Sequence, residues 1–335
     1  MGLDIAPLWA VIIFFGVFMY VVLDGFDLGI GMLFPFVKEK HERDVMMNTV
    51  APVWDGNETW LVLGGAGMLA AFPLAYSIIL SGLYLPLIFM LLGLIFRGVA
   101  FEFRFKANER ERPVWDASFI CGSYVATFFQ GVALGTFLEG IPVSGRSYVG
   151  GPLDWAGPFP FLAGIGVIIT YLVLGSTWLV MKTEGTLHER MIHIARPASV
   201  LLFLAIVAVS IWSPIRYPLV AARWFSFPNI VFLAPVPLLV IIFTVLLQRS
   251  LSRAPLRVPF VSALALVFLG YTGMAISIWP HIVPPTITIW EASSSPSSQA
   301  FTLIGALFVL PIILTYTIWS YYIFRGKVRP GEGYH

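Results

Sequence analysis

The chain has 335 residues, of which 58% are hydrophobic and only 11% are charged. In soluble domains about a quarter of the residues are charged, so this composition excludes a soluble fold and predicts an integral membrane protein. The net charge of +2 is spread between apolar runs, which excludes a basic nucleic-acid-binding patch. The single cysteine, Cys121, excludes an internal disulfide, a cysteine-based metal site and a haem-attachment motif.

Nine apolar runs are long enough to cross a bilayer as helices, which takes about 20 residues each. In chain order they cover residues 6–33, 52–72, 74–102, 115–139, 158–181, 197–213, 224–247, 258–280 and 299–324. The dipeptide Phe72-Pro73 separates the second run from the third and predicts a tight helical hairpin. The sixth run is the shortest. The sequence therefore predicts a single transmembrane domain over 1–335, all-α, with nine spans.

The distribution of Lys and Arg between the spans predicts the direction of the chain. Alternate connections carry 16 of these residues in one set and 3 in the other. The connection after the seventh span, for example, contains Arg249, Arg253 and Arg257. Cytoplasmic loops carry the excess of Lys and Arg. The N-terminus is therefore expected on the periplasmic side and the C-terminus in the cytoplasm.

Four carboxylates lie in the first two spans, where ionisable groups are costly and usually functional. Asp24 and Asp27 lie in the inner half of the first span, and Asp55 and Glu58 lie near the start of the second. The i, i+3 spacing in each pair places both side chains on one helix face. Closely spaced acids at low dielectric share protons near neutral pH, so one interpretation is a hydrated proton route from the cytoplasm.

A structural interpretation competes with the proton route. Arg97 lies near the inner end of the third span, with Glu102 close behind. These two residues are candidates for structural ion pairing, in which Arg97 neutralises a buried carboxylate. Asp55 and Glu58 would then serve only as helix-start residues, where the helix dipole favours negative charge.

The histidines lie outside the membrane interior. His41, His188 and His193 fall in inner connections, His281 at an outer helix end, and His335 at the terminus. Haem iron is usually held by His, often with Met. The chain is therefore expected to ligate no haem and no other metal by itself.

Four sequence blocks carry a resemblance to a known family. They are Asp24–Leu33 (DGFDLGIGML), Ala51–Leu61 (APVWDGNETWL), Phe96–Arg104 (FRGVAFEFR) and Gly131–Pro142 (GVALGTFLEGIP). In combination they resemble the first four helices of subunit II of the cytochrome bd quinol oxidases. Length, span number and the expected outward N-terminus extend the resemblance over the whole chain.

The resemblance implies two four-helix bundles plus one peripheral helix, in the inner membrane of a bacterium. It also implies a heterodimer with subunit I, the larger chain that carries haems b558, b595 and d and the quinol-oxidising loop. The complex of that family oxidises quinol and reduces dioxygen to water. Its redox chemistry belongs to the partner, so this chain is expected to hold no catalytic residue. The resemblance also allows a bound quinone and a small accessory subunit.

The family's functional positions can be carried over one by one. Asp24 and Asp55 match positions associated with proton transfer from the cytoplasm. Glu58 stands where other members of the family can have glutamine. Trp60 matches a tryptophan associated with the mouth of an oxygen channel, which makes it the candidate for oxygen access.

Two alternatives stay open from the sequence. A proton-coupled secondary transporter also has many spans and membrane-embedded acids, but it would place charged or broken helices near the bilayer midplane and contain a repeat. A purely structural anchor for the catalytic subunit is the other alternative. In that case changes at Asp24 or Asp55 would alter assembly but not turnover.

Overall fold

The structure is a computed structural model that describes residues 4–252, 256–329 and 331. Arg253 and His335, which entered the predictions above, lie outside the described residues. The described part of the chain forms thirteen α-helices and two short antiparallel hairpins. Helices dominate because lipid offers the backbone no hydrogen-bond partners, so each spanning segment must satisfy its own.

The helices are α1 Ala6–Leu33, α2 Lys40–Asn48, α3 Trp54–Ala71, α4 Pro73–Lys106, α5 Arg112–Glu139, α6 Pro158–Lys182, α7 Gly185–Arg216, α8 Pro218–Phe225, α9 Asn229–Leu233, α10 Pro235–Ser250, α11 Val258–Ile278, α12 Ile289–Ala292 and α13 Pro296–Ile323. Strand β1 (Val143–Ser144) pairs with β2 (Ser147–Tyr148), and β3 (His281–Val283) pairs with β4 (Ile287–Thr288).

Eight segments of the described chain are helical, long and apolar enough to cross a membrane. They are α1, α4, α5, α6, α7, α10 extended by α9, α11 and α13. The prediction of an all-α membrane protein is thereby confirmed. Helix α3 is not among the eight, because Asp55, Asn57 and Glu58 in its first turns lower its mean hydropathy. The ninth span stays a prediction.

Two helix boundaries show where hydropathy and helix length differ. Helix α3 ends at Ala71 and α4 begins at Pro73, a residue favoured at the first position of a helix. The sixth predicted span, 197–213, lies inside the much longer α7. Residues 185–196, which include His188, Glu189, Arg190, His193 and Arg196, continue that helix beyond the apolar run, since a helix can extend past the lipid-facing part of its sequence.

The helices form two groups. In the first, α1, α3, α4 and α5 pack on one another, and in the second α6, α7, α10 and α11 do so. Helix α1 also packs along α6 and so joins the groups. Helix α13 lies against α3, and Gln299 is its only buried residue. Helix α13 therefore lies at the edge of the described structure.

Helices α1 and α6 touch backbone to backbone at Gly29 and Gly175. A Cβ atom on Gly29 would lie 2.0 Å from the carbonyl oxygen of Tyr171, and one on Gly175 would lie 2.7 Å from the carbonyl carbon of Gly29. Small residues permit such close crossings in membrane helices, where packing rather than the hydrophobic effect holds helices together. The crossing brings α6 against the part of α1 that carries Asp24 and Asp27.

Gly29→Ala is expected to force α1 and α6 apart and to destabilise the protein by about 1–3 kcal/mol, as overpacking usually does. The measurement is the denaturation temperature of the purified protein. Gly270→Ala is the matched control, because a Cβ atom there has nothing within 4 Å. Equal denaturation temperatures for the two variants would contradict the tight crossing.

Most of the charged connections meet at one end of the helices, which we call the basic end. There Arg43 Nη1 lies 2.7 Å from Asp116 Oδ2 and joins α2 to α5. Lys327 Nζ lies 3.1 Å from Glu184 Oε1 and ties the segment after α13 to the α6–α7 connection. The C-terminal half of α1 and the first turn of α3 lie towards this end.

Candidate functional site

Arg97 is the centre of a charged cluster buried between three helices. Its Nη2 atom lies 2.6 Å from Asp24 Oδ1 on α1 and 3.3 Å from Glu58 Oε2 on α3. The Arg97 side chain is 0% exposed, that of Asp24 1% and that of Glu58 29%. The Trp54 ring lies 5.6 Å from the guanidinium carbon and stabilises the cation from α3. One cation therefore links α1, α3 and α4.

The structure gives Arg97 partners other than Glu102. Glu102 lies on the same helix but is exposed, and it has no ion-pair partner anywhere in the described ranges. The reason is helical geometry, because residues three and four apart share a face of a helix, whereas residues five apart do not. Arg97 thus neutralises carboxylates on neighbouring helices, as the structural interpretation requires.

Asp27 is held separately, by an amide and a phenol. Asn57 Nδ2 donates to Asp27 Oδ2 at 2.8 Å and lies 3.3 Å from the Leu23 carbonyl oxygen. The hydroxyl of Tyr321, on α13, donates to Asn57 Oδ1 at 2.9 Å. Asp27 and Asn57 are each 1% exposed. Two neutral side chains, those of Asn57 and Tyr321, therefore hold the buried carboxylate in place and connect α13 to the cluster.

Asn57→Leu is expected to destabilise the protein by about 1–3 kcal/mol, because it leaves the buried Asp27 oxygen without its donor. Tyr321→Phe removes one neutral hydrogen bond and is expected to cost about 1 kcal/mol. The denaturation temperatures of the two variants test whether Asn57→Leu destabilises the protein more than Tyr321→Phe does. A Tyr321→Phe variant less stable than Asn57→Leu would contradict this arrangement.

The remaining sequence-predicted site residues lie on α3. Asp55 is in the first turn, is exposed, and forms no ion pair with a residue that the structure describes. It precedes Glu58 by three residues, so the two carboxylates lie on one face. Trp60 is only 1% exposed and packs edge-to-face on Phe15, with ring centroids 5.8 Å apart. The structure therefore brings Asp24, Glu58 and Arg97 together and leaves Asp55 at the rim.

Sequence reasoning missed a polar chain beside the cluster. The hydroxyl of Tyr171 donates to Gln130 Oε1 at 2.8 Å, and Gln130 Nε2 donates to the hydroxyl of Tyr20. Tyr20 lies one turn before Asp24 on α1, and Tyr171 is fully buried on α6. No charge marks these residues in the sequence. The four-residue spacing of Tyr20 and Asp24 was the one available indication.

A second buried ion-pair network was also missed. Arg104 Nε lies 2.5 Å from Asp116 Oδ1, and its Nη1 lies 2.5 Å from Asp44 Oδ1. Arg43 donates to the second oxygen of Asp116 at 2.7 Å. The seven-residue spacing of Arg97 and Arg104, two turns on one helix face, could have indicated it. The network fixes the basic ends of α2, α4 and α5.

Outside the spans, Arg190 ties α2 to α7. Its Nη1 donates to Glu39 Oε2 at 2.7 Å and to Glu42 Oε2 at 2.8 Å, while Thr186 donates to Glu42 Oε1 at 2.6 Å. The hydrogen bond from Arg190 is the main reason that the pKa of Glu39 is lowered from 4.5 to about 2.

A lowered folded-state pKa adds stability that is complete above the unfolded pKa and lost as pH falls through the folded value. For Glu39 that window runs from 4.5 down to about 2. We therefore expect Glu39→Gln to denature at a slightly lower temperature than wild type at neutral pH. The gap should close as the pH is lowered through the window, and a gap that does not depend on pH would contradict the assignment.

None of the histidines that the structure describes is fully buried. His188 and His281 are half-buried, and His41 and His193 are exposed, so none of the described histidines is buried within a span. Among the described residues no group of His, Cys, Asp and Glu is arranged to hold a metal ion. The side chains gathered at Arg97 are arranged for ion pairing.

Comparison with known proteins relates the chain to a family. The family described as cytochrome bd terminal oxidase subunit II matches residues 5–324. The chain is 31% identical over 347 residues to the cytochrome bd-I ubiquinol oxidase subunit 2 of Escherichia coli K12, covering 92% of this chain and 91% of that protein. It is 30% identical over 334 residues to the cytochrome bd ubiquinol oxidase subunit 2 of Bacillus subtilis, covering 97% of each.

The fold agrees with these relatives. A chain in the structure of the bd oxidase from Geobacillus thermodenitrificans matches with a TM-score of 0.79 and 16% identity, covering 97% of this chain and 100% of that chain. The family match spans all four sequence blocks that suggested the resemblance. It argues against the alternative of a secondary transporter. The chain belongs to the cytochrome bd terminal oxidase subunit II family and is a subunit of a terminal respiratory quinol oxidase of the bacterial inner membrane.

Proposed function

We propose that this chain supports a haem-bearing partner subunit and supplies it with protons from the cytoplasm. One observation carries the proposal: ionisable side chains run from the exposed first turn of α3 into the bundle, through Asp55 and Glu58 to the Arg97–Asp24 pair. Reduction of dioxygen to water consumes protons. A partner that holds the redox centres needs a polar route through apolar helices to receive them.

Asp55 and Glu58 are the members of this row that carry protons. The Asp55 carboxylate is exposed and has no ion-pair partner in the described part of the chain, so it forms the solvent end of this row. Glu58 follows on the same face of α3, with its side chain 29% exposed. Its position at the edge of the bundle makes it the second step inward.

Arg97 and Asp24 hold the inner end of the route. The Nε and Nη1 atoms of Arg97 and the Oδ2 atom of Asp24 are buried and have no hydrogen-bond partner among the described residues. Buried polar groups of this kind usually bind ordered water. Water on these atoms would extend the route inward from Glu58, while the 2.6 Å ion pair keeps Asp24 in place.

The proposal includes nine spans, with α3 as the second, the N-terminus in the periplasm and the C-terminus in the cytoplasm. The excess of Lys and Arg at the basic end supports this direction. Because α3 begins near the basic end, Asp55 would then open towards the cytoplasm. Trp60, buried between α1 and α3, would line an apolar passage for oxygen rather than form its open mouth.

Haems b558, b595 and d would lie in the partner subunit, since the described histidines here do not fit a haem ligand. Helix α4 offers that partner an apolar face. Leu92, Ile95, Phe96 and Val99 recur at helical spacing and are 39–58% exposed. Such a stripe packs well against helices of a second membrane subunit.

The proposal is tested by purifying the complex through a tag on this chain and measuring its haem content and quinol-driven oxygen consumption. We expect a haem-bearing chain to co-purify, and we expect Asp55→Asn to lose turnover per haem at normal haem content. Purification without a haem-bearing partner would contradict the first half of the proposal. Unchanged turnover per haem would contradict the second half.

A purely structural role is the second candidate, and the Arg97–Asp24 ion pair favours it, because that contact fastens α4 to α1. Under this alternative, variants at Asp24, Asp55 or Glu58 lower the yield of complex but leave turnover per haem unchanged. Comparing yield with turnover in the same preparations separates the two functions.

A further inference from the structure

A pocket of about 410 Å³ lies at the basic end, between the last turns of α6, the first turns of α7 and the end of α10. Among the described residues, its polar lining consists of His188, Glu189, His193, Arg196, Ser250 and Ser252. The rest of the lining is aliphatic. These residues are separate from the Arg97 cluster, and the proposed proton route uses none of them.

Arg196 is the feature of this pocket that suits a phosphate group. Its Nη2 donates to Ser252 Oγ at 2.6 Å, which fixes the guanidinium beside the pocket. Arg196 forms no ion pair with a carboxylate in the part of the chain that the structure describes. The Ser250 hydroxyl donates to the Leu247 carbonyl and keeps its lone pairs for an incoming donor. A fixed, unpaired guanidinium is the donor group that best matches phosphate oxygens.

Glu189 decides which kind of phosphate group fits. It lines the same pocket, is exposed, and also lacks an ion-pair partner within the described ranges. With histidine counted as neutral, Arg196 and Glu189 give the lining residues that the structure describes a net charge of zero. A zwitterion carrying both a phosphate and an ammonium group therefore matches the lining better than an anion does.

The surface next to the pocket suits acyl chains. Val200 and Leu204 continue along α7 from Arg196, and Ile241 and Val245 lie on the neighbouring α10. These four aliphatic side chains are 42–54% exposed. An arginine in a pocket between membrane helices at the basic end is a typical contact for a lipid phosphate.

The geometry points to a binding site for phosphatidylethanolamine. Its phosphate would lie on Arg196 and Ser252, its ammonium group on Glu189, and its acyl chains along the seam between α7 and α10. The site would bind one lipid molecule at the boundary between the second group of helices and the surrounding bilayer.

Native mass spectrometry of the delipidated, purified complex tests the site, with phosphatidylethanolamine, phosphatidylglycerol, phosphatidylcholine and inorganic phosphate added in separate arms. We expect wild type to retain phosphatidylethanolamine most strongly and Arg196→Gln to weaken its retention about tenfold. Arg249→Gln is the matched control, because Arg249 is an exposed arginine at the same end that does not line the pocket. Glu189→Gln should abolish the preference for phosphatidylethanolamine over phosphatidylglycerol.

Three results would overturn the assignment. Equal retention of phosphatidylglycerol or phosphatidylcholine by wild type would refute the ammonium contact with Glu189. An equal loss in Arg196→Gln and Arg249→Gln would refute the pocket as the site. Displacement of the lipid by inorganic phosphate would show a free-anion site instead. Lipid retention is measured without turnover, so these outcomes do not depend on the proton route.

Discussion

Arg97→Gln is expected to destabilise the protein by about 3–5 kcal/mol, the cost of breaking a buried ion pair by removing one partner. The Asp24 carboxylate lies 2.6 Å from Arg97, and both side chains are at most 1% exposed. Glutamine can offer a hydrogen bond but no charge, so Asp24 would keep a buried charge without its cation. A lower denaturation temperature and a lower yield of purified complex are the measurements.

Two further variants make this prediction specific. Arg249→Gln removes an exposed arginine from the same end of the molecule and is expected to leave the denaturation temperature unchanged. Adding Asp24→Asn to Arg97→Gln should recover much of the lost stability, because two neutral side chains replace one unpaired charge. If Arg97→Gln denatures at the wild-type temperature, Arg97 does not hold the helices together.

The membrane fold could be predicted from the sequence because lipid requires long apolar helices, and hydropathy detects them directly. Helix α3, predicted as the second span, has a lower mean hydropathy than the eight others because Asp55, Asn57 and Glu58 occupy its first turns. The full length of α7 is not predicted by hydropathy, because residues 185–196 are helical but carry five charged or histidine side chains. Hydropathy marks the lipid-facing part of a helix and says little about where the helix ends.

The members of the charged cluster could also be predicted, but their pairing could not. Asp24 and Arg97 are 73 residues apart in sequence and meet only because α1, α4 and α5 pack closely. The spacing between Arg97 and Glu102 indicates that they do not form an ion pair with each other, since residues five apart do not share a helix face. Asn57 and Tyr321 carry no charge, and only the packing of α13 on α3 brings them together.

Asp55→Asn is expected to lower quinol-driven oxygen consumption per haem on the order of 10²-fold, the lower end of what a positioned proton-transfer group contributes. Asparagine has nearly the same shape as aspartate but cannot take up and release a proton at neutral pH. Asp55 is exposed and makes no ion pair within the described ranges, so the substitution removes no structural contact. Haem content and denaturation temperature should therefore stay at wild-type values.

The control for Asp55 is an acid at the same end of the molecule that lies off the route. Glu109 has a side chain 90% exposed and only a long contact of 3.9 Å to Lys40. Glu109→Gln should consume oxygen like wild type. Asp55→Glu should restore much of the turnover, because it returns a proton carrier one methylene further from the backbone. If Asp55→Asn and Glu109→Gln turn over equally per haem, Asp55 carries no protons, and the contribution of this subunit to oxygen reduction is structural.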